Sequence, residues 1–180
     1  MKDEYLIVLD FLPFGRGDFK KEPIAQGIGE RYFNLLEVSI KPNVKVDFFE
    51  RVYIGSGVRD KVGRIIKKLK YDELTTLAKD NLEKVLEQLI DKNEDRFVKF
   101  FNFSGPITPK LHSLELLPGI GKKHLWQIIE ERKAKPFQSL KEINERIKFL
   151  PDVKKMLIRR LLDELQEKDE YKLFVGNPLF

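Results

Sequence analysis

Apolar residues recur along this 180-residue chain with two different periods, and the change falls near residue 75. Before it the spacing is that of strands. Tyr-Leu-Ile-Val-Leu-Asp-Phe-Leu, from Tyr5 to Leu12, is a nearly continuous apolar run rich in branched and aromatic side chains; it predicts a buried strand ended by Pro13. Residues 13–30 read as a long polar loop with Gly15, Gly17, Gly27 and Gly29, whose Arg16, Lys20 and Lys21 are candidates for contact with a polyanion. Residues 31–40 predict a second strand, with Tyr32, Leu36, Val38 and Ile40 on one face and the turn Lys41-Pro42-Asn43 after it. The strongest alternation lies in 44–54. There Val44, Val46, Phe48, Val52 and Ile54 share one face, Lys45, Asp47, Phe49, Arg51 and Tyr53 the other, and Glu50 alone breaks step. After Gly55-Ser56-Gly57, residues 59–70 predict a fourth, strongly basic strand carrying Arg59, Lys61, Arg64, Lys67, Lys68 and Lys70. Meandering strands with glycines between them suggest a small barrel of the oligonucleotide-binding type, on which Phe49 and Tyr53 beside Arg51 and Lys45 would offer platforms for bases and cations for phosphates. Packing of those two aromatics under other elements is the competing reading. Such a barrel wants a fifth strand, expected within 13–30 or in the tail.

From Thr75 the apolar period becomes helical. Leu82, Val85, Leu86, Leu89 and Ile90 make one stripe, with Lys79, Glu83, Glu87 and Asp91 around it, and this helix is expected to end at Lys92-Asn93. A short helix with Phe97, Val98, Phe100 and Phe101, then Phe103, predicts an aromatic interior between two domains, broken by Ser104-Gly105-Pro106. Thr108-Pro109 predicts a new helix with Thr as N-cap and Pro in its first position. Leu125, Ile128 and Ile129 predict the next, on which Trp126 is expected to pack, with stacking on a base as the alternative. Ser139 with Glu142 three residues on is a capping-box pattern ahead of Leu140, Ile143 and Ile147. Asp152 is expected to cap the last helix, which would bury Met156, Leu157, Leu161 and Leu165 and leave Arg159 and Arg160 outside. The apolar tail from Tyr171 to Phe180 is expected to dock on the body, with a protein partner as its alternative occupant.

The most informative stretch is Leu117-Pro118-Gly119-Ile120-Gly121-Lys122-Lys123. Two glycines permit positive φ and close approach of a neighbour. Ile120 between them can anchor the turn in the core. The amides of Gly119 and Gly121, with the first free N–H groups of the following helix, make a nest suited to an anion, and Lys122 and Lys123 add full charges. Leu-Pro-Gly-Ile-Gly followed by an amphipathic helix resembles the helix-hairpin-helix motif of DNA-repair, recombination and RNA-associated proteins over residues 114–132. The resemblance implies binding of a sugar–phosphate backbone without reading of sequence. Phe149-Leu150-Pro151-Asp152-Val153-Lys154-Lys155 echoes the stretch without its glycines. It resembles the degenerate half of a tandem motif, expected to be structural, with Lys154 and Lys155 helping electrostatically at most. The whole chain also resembles an uncharacterised archaeal family in which an N-terminal β-barrel precedes a C-terminal helix-hairpin-helix domain. That likeness implies an architecture and nucleic-acid binding, and brings no established activity.

Composition narrows the chemistry. With no Cys and two His, disulfides, thiolate metal sites and Cys nucleophiles are excluded and a His-rich metal site is not expected. The apolar runs are too short to span a bilayer, and the acidic start does not resemble a signal peptide, so a cytoplasmic protein is expected. The net charge of +5 is unevenly spread: residues 1–71 carry +4, residues 72–100 carry −3 and residues 101–180 carry +4. Two basic ends about an acidic middle suit a polyanion. Gly119-Ile120-Gly121-Lys122 is no P-loop, because Leu116 replaces the first glycine and no Ser or Thr follows Lys122. Glu131-Arg132-Lys133 resembles the start of a nuclease motif, but Phe137 stands where that motif needs its metal-binding Asp. His112 and His124 assemble no triad.

The reading is therefore α+β: an OB-like barrel over 1–72, a helical connector over 73–104, a tandem helix-hairpin-helix domain over 105–168 and a docking tail over 169–180. The expected function is non-catalytic, largely sequence-independent binding of an RNA or DNA phosphate backbone, RNA slightly favoured, with no cofactor, metal or membrane. Gly119, Ile120, Gly121, Lys122 and Lys123 would form the site, with Arg51, Arg64, Lys67 and Lys68 on the barrel. A structure-specific nuclease and a protein-interaction module in a ribonucleoprotein or repair complex are the alternatives.

Overall fold

The branched run from the start of the chain becomes β1 (Tyr5–Leu12), an inner strand of a curled five-stranded antiparallel sheet. A computed structural model describes residues 1–17 and 21–180, a mixed α+β fold with five α-helices among the described residues; the predicted loop residue Lys20 lies outside them. Compact contacts divide the chain into two units: Met1–Val85 with Glu164–Leu179, and Leu86–Asp163 with Phe180.

In the first unit the sheet runs β4 (Arg51–Tyr53), β1, β2 (Ile24–Gly29), β3 (Leu35–Ile40), β5 (Val62–Lys68). β1, β2 and β3 form a meander, but β4 crosses over to pair with β1. The missing fifth strand is β2, inside the stretch read as loop. Its six residues are all buried, yet half are Gly or Gln, so the apolar signal is thin. Gly29 is required there, since a Cβ would sit 1.9 Å from the Asp3 carboxylate. That buried carboxylate accepts hydrogen bonds from the backbone N–H groups of Arg31 and Tyr32 and from Asn34 Nδ2. It therefore holds a turn at 31–34, with Phe33 at φ 55°, and the strand predicted from residue 31 begins only at Leu35.

The strand predicted over 44–54 is a larger correction, because only Arg51–Tyr53 forms it. Glu50 N–H donates to the Asp47 carbonyl and Phe49 takes φ 67°, so a turn interrupts the alternation. Val46, Val52 and Ile54 still enter the core, with Leu6, Val8, Ala25, Val38, Ile40 and Val62, whereas Phe48 is 45 % exposed. The predicted fourth strand is realised as β5, a sheet edge whose outward lysines discourage pairing with another chain. Thr75 starts α1 (Thr76–Lys92): its Oγ1 accepts from Ala78 N–H, while its own N–H donates to Gln26 of β2. The tail buries Leu173, Phe174 and Val175 in this unit. The buried Glu164 carboxylate takes the Phe174 N–H at 3.0 Å, and Gly176 N–H reaches the Tyr32 carbonyl.

In the second unit α2 (Glu94–Phe103) buries Phe97, Phe100 and Phe101 and exposes Phe103. The helix predicted from Thr108-Pro109 is absent. In its place β6 (Pro106–Thr108) pairs with β7 (Leu111–His112), and a single 3-10 turn, Ser113–Leu116, follows. The Ser113 backbone N–H and hydroxyl both donate to the Gly105 carbonyl, which folds the segment back on itself before a helix can form. Then come α3 (Lys122–Ala134), α4 (Leu140–Arg146) and α5 (Val153–Leu165). Ser139 Oγ caps α4 by accepting from Glu142 N–H, while the Glu142 carboxylate reaches Gln138 N–H, one residue before the one a capping box would use. Arg160, predicted outside, is buried at 3 % exposure and donates to the Leu116 carbonyl at the end of the 3-10 turn. No helix among the described residues is long and apolar enough to cross a membrane.

Candidate nucleic-acid interface

Leu117 N–H closes on the Leu114 carbonyl, and Ile120 N–H then closes on Leu117, so the chain reverses within a few residues. Gly119 takes φ +97°, a conformation L side chains rarely adopt. A Cβ on it would meet Pro151 Cγ at 3.0 Å and Met156 Sδ at 3.4 Å, so the turn is braced by the second turn and by α5. Ile120 is 6 % exposed and pins the turn to the core, while Gly119 and Gly121 face solvent. Gly121 is the N-cap of α3, with φ −96° and ψ −171°, and carries no side-chain cap. A Cβ there would meet nothing within 4 Å. The first N–H groups of a helix have no partner within it, and here no capping side chain supplies one.

The two lysines at this helix start differ. Lys122 Nζ lies 2.7 Å from Glu115 Oε1 and also donates to the Lys110 carbonyl. The Glu115 carboxyl is held below its usual range, first by Lys122 and then by His112 N–H. Lys123 is exposed and makes no ion pair among the described residues. His112 Nδ1 accepts from Leu114 N–H, and burial, then Arg132, pushes its pKa down.

The second turn is closed from within. Asn144 Oδ1 accepts from Val153 N–H at 2.9 Å, and Asn144 Nδ2 donates to the carbonyls of Leu150 and Pro151. Asp152 Oδ1 accepts from Lys155 N–H at 2.9 Å, the cap read in the sequence. Lys154 is bound to Asp91 at 2.6 Å, which raises its pKa, and Lys155 is exposed.

On the sheet, Arg64 pairs with Glu22, Lys67 with Glu73, and Arg51 holds Glu30 through two hydrogen bonds while stacking 3.4 Å above the centre of the Tyr5 ring. Lys68 makes no ion pair among the described residues. Tyr53 is half-buried, its hydroxyl accepting from Gly57 N–H and its ring packing edge-on to Tyr5. Arg16 is tied to Glu37. Arg51, Lys61, Arg64 and Lys67 are thus already matched to carboxylates, while Lys45, Lys68 and Lys70 are exposed and make no ion pair among the described residues.

Trp126 departs from its expected packing, as Phe48 and Phe103 depart from theirs, and Phe149 is exposed where the sequence carried no expectation. Trp126 is 61 % exposed rather than packed, and Phe149 is 91 % exposed at φ 64°. A spacing argument could have placed Trp126 outward, since it lies off the stripe of Leu125 and Ile128. Nothing in the sequence marked Phe149. No three His, Asp or Glu side chains converge as a metal site among the described residues.

Residues 2–176 match the model of a family described as "Protein of unknown function (DUF655)". The chain is 49% identical over 175 residues to an uncharacterized protein, MJ0038, of Methanocaldococcus jannaschii, a match covering 96% of this chain and 80% of the relative. It is also similar to the crystal structure of Af1531 from Archaeoglobus fulgidus, of the same family. That match has 44% identity and a TM-score of 0.88, covering 97% of this chain and 100% of that one.

Proposed function

We propose that this chain, which belongs to the DUF655 family of proteins of unknown function, is a non-catalytic cytoplasmic protein that binds the phosphate backbone of nucleic acid through its first turn. The observation that carries the reading is an uncapped start of α3: an exposed Gly121, no cap and an exposed Lys123. A phosphate oxygen there receives amide hydrogens at the positive end of the helix dipole. On this reading the two turns are a tandem helix-hairpin-helix in which the 3-10 turn stands for the first helix, and only the first turn binds. The curled sheet is an OB-like half-barrel that offers Lys68 to a phosphate on its own account, with Arg51, Arg64 and Lys67 contributing once they release their carboxylates. RNA is preferred slightly over DNA. Phosphate contacts position a strand without specifying its sequence. Any protein partner of the tail would meet Leu179, which is 58% exposed, since the preceding apolar residues are buried.

The test is a titration of labelled single- and double-stranded RNA and DNA at two salt concentrations. Affinity should fall with salt with a slope of about −0.7 to −0.9 per phosphate contacted and vary little with sequence. Lys123→Glu should weaken every complex and flatten the slope. Affinity that ignores both salt and Lys123 would overturn the reading.

A further inference from the structure

Beside α3 lies a groove of about 370 Å³, lined by Trp126, Gln127, Glu130, Glu131, Arg146, Ile147 and Lys148. Its volume falls within the range of small-molecule clefts, about 300–1,000 Å³. A scattered exposed apolar side chain needs no explanation, but this indole forms a wall of the groove and is 61% exposed. Trp126 also stands three and four residues beyond Lys123 and Lys122. Residues so spaced are neighbours on one helix face, so the indole lies about one turn from the open amides.

The polar lining says what the groove can take. Glu130 and Glu131 repel a second phosphate, and Arg146 is already held by Glu131 at 3.0 Å and by Glu142 at 3.1 Å. Gln127 Oε1 is shielded from water and has no hydrogen-bond partner among the described residues. With that oxygen out of reach, the Glu130 carboxylate in the lining offers acceptors to a planar, uncharged group with an N–H edge. Phe149, which follows the lining residue Lys148 in the chain, combines a left-handed backbone with almost complete exposure. Neither helps the fold: the conformation is strained and the ring buries nothing. An aromatic held outward at such a cost is suited to act as a wedge against a base.

We propose that this groove holds an unpaired nucleobase, stacked on Trp126, of the strand whose phosphate lies on the first turn. This rests on the nucleic-acid reading above and narrows its substrate to single-stranded or locally unpaired nucleic acid.

Trp126 is the sole tryptophan of the chain, so its emission reports the groove directly. The full chain is titrated with a short labelled oligouridylate, with the same oligomer carrying abasic sugars, and with a blunt duplex, following anisotropy and emission together. The oligouridylate should quench emission about twofold and bind about tenfold tighter than the abasic oligomer, which leaves emission unchanged. Trp126→Ala should lose about tenfold for oligouridylate and nothing for the duplex, and Trp126→Phe should recover most of that loss. Equal binding of the base-bearing and abasic oligomers with no quenching overturns the groove and leaves the phosphate reading standing. Binding of none of the three overturns both. Emission that changes with protein concentration alone assigns the groove to a second copy of the chain and overturns the inference.

Discussion

The two turns of the helical unit share a rhythm of Leu-Pro, an apolar residue and a pair of lysines, and they differ in what meets their backbone amides. In the second, Asn144 and Asp152 take the N–H groups of Val153 and Lys155. In the first, glycine stands at the N-cap and no side chain takes them. The parallel extends to charge. In each pair the leading lysine is bound, Lys122 by Glu115 and Lys154 by Asp91, and the trailing one is exposed. On the proposed reading, one backbone design serves two ends. A side chain that caps a helix also occupies the place of an anion, so replacing it with glycine gives up about 1 kcal/mol or less of stability and opens the site.

The largest effect expected on this contrast is in the closed turn. Asn144→Ala removes three backbone hydrogen bonds and leaves Val153 N–H without its partner. It should cost about 2–3 kcal/mol in urea denaturation, while the folded fraction binds nucleic acid as before. A loss of under about 0.5 kcal/mol would mean that water closes this turn as well as Asn144 does. Next comes Gly119→Ala, which places a methyl at φ +97° and 3.0 Å from Pro151 Cγ. It should cost about 1–2 kcal/mol, so a binding loss in this variant has to be read beside its stability. Gly121→Ala meets no neighbour and should leave stability within about 0.5 kcal/mol of the parent.

The smallest effect concerns pH. Burial lowers the pKa of His112 in the fold below its ordinary value of 6.5. The unfolded chain therefore binds the proton more readily. Stability is complete above about 6.5 and declines as the pH falls from there to the folded value. The ring is half-buried and Glu115 opposes the shift, so the loss is the smallest of these effects. Melting curves from pH 8 to pH 5 should show it, and His112→Asn, which keeps an acceptor for Leu114 N–H without titrating, should remove that component.

Periodicity made the helical stripes of α1, α4 and α5 legible, because each rests on repeated local spacing. The cap at Asp152 and the turn at Gly119 were legible because their chemistry is local too. The strand β2 was hidden, since its burial comes from pairing on both sides and its residues are small or polar. The alternation over 44–54 misled for the opposite reason. Its pattern is complete, but a turn at Asp47–Glu50, closed by one backbone hydrogen bond, overrides it. At the candidate site, the turn and its lysines could be named from sequence. Which lysine is matched by Glu115, which sheet cations already hold carboxylates, and that Trp126 and Phe149 stand bare are outcomes of long-range packing, with no signature in local spacing.

The central claim, that an empty cap is the binding site, is tested most directly by filling it. Gly121→Asp sets a carboxylate at an N-cap with extended backbone and free space, where it accepts from the amides of α3. Stability and affinity for a labelled oligonucleotide are then measured on the same preparation. Melting temperature should hold or rise by a few degrees while affinity falls more than tenfold. A variant that binds as tightly as the parent would contradict the account.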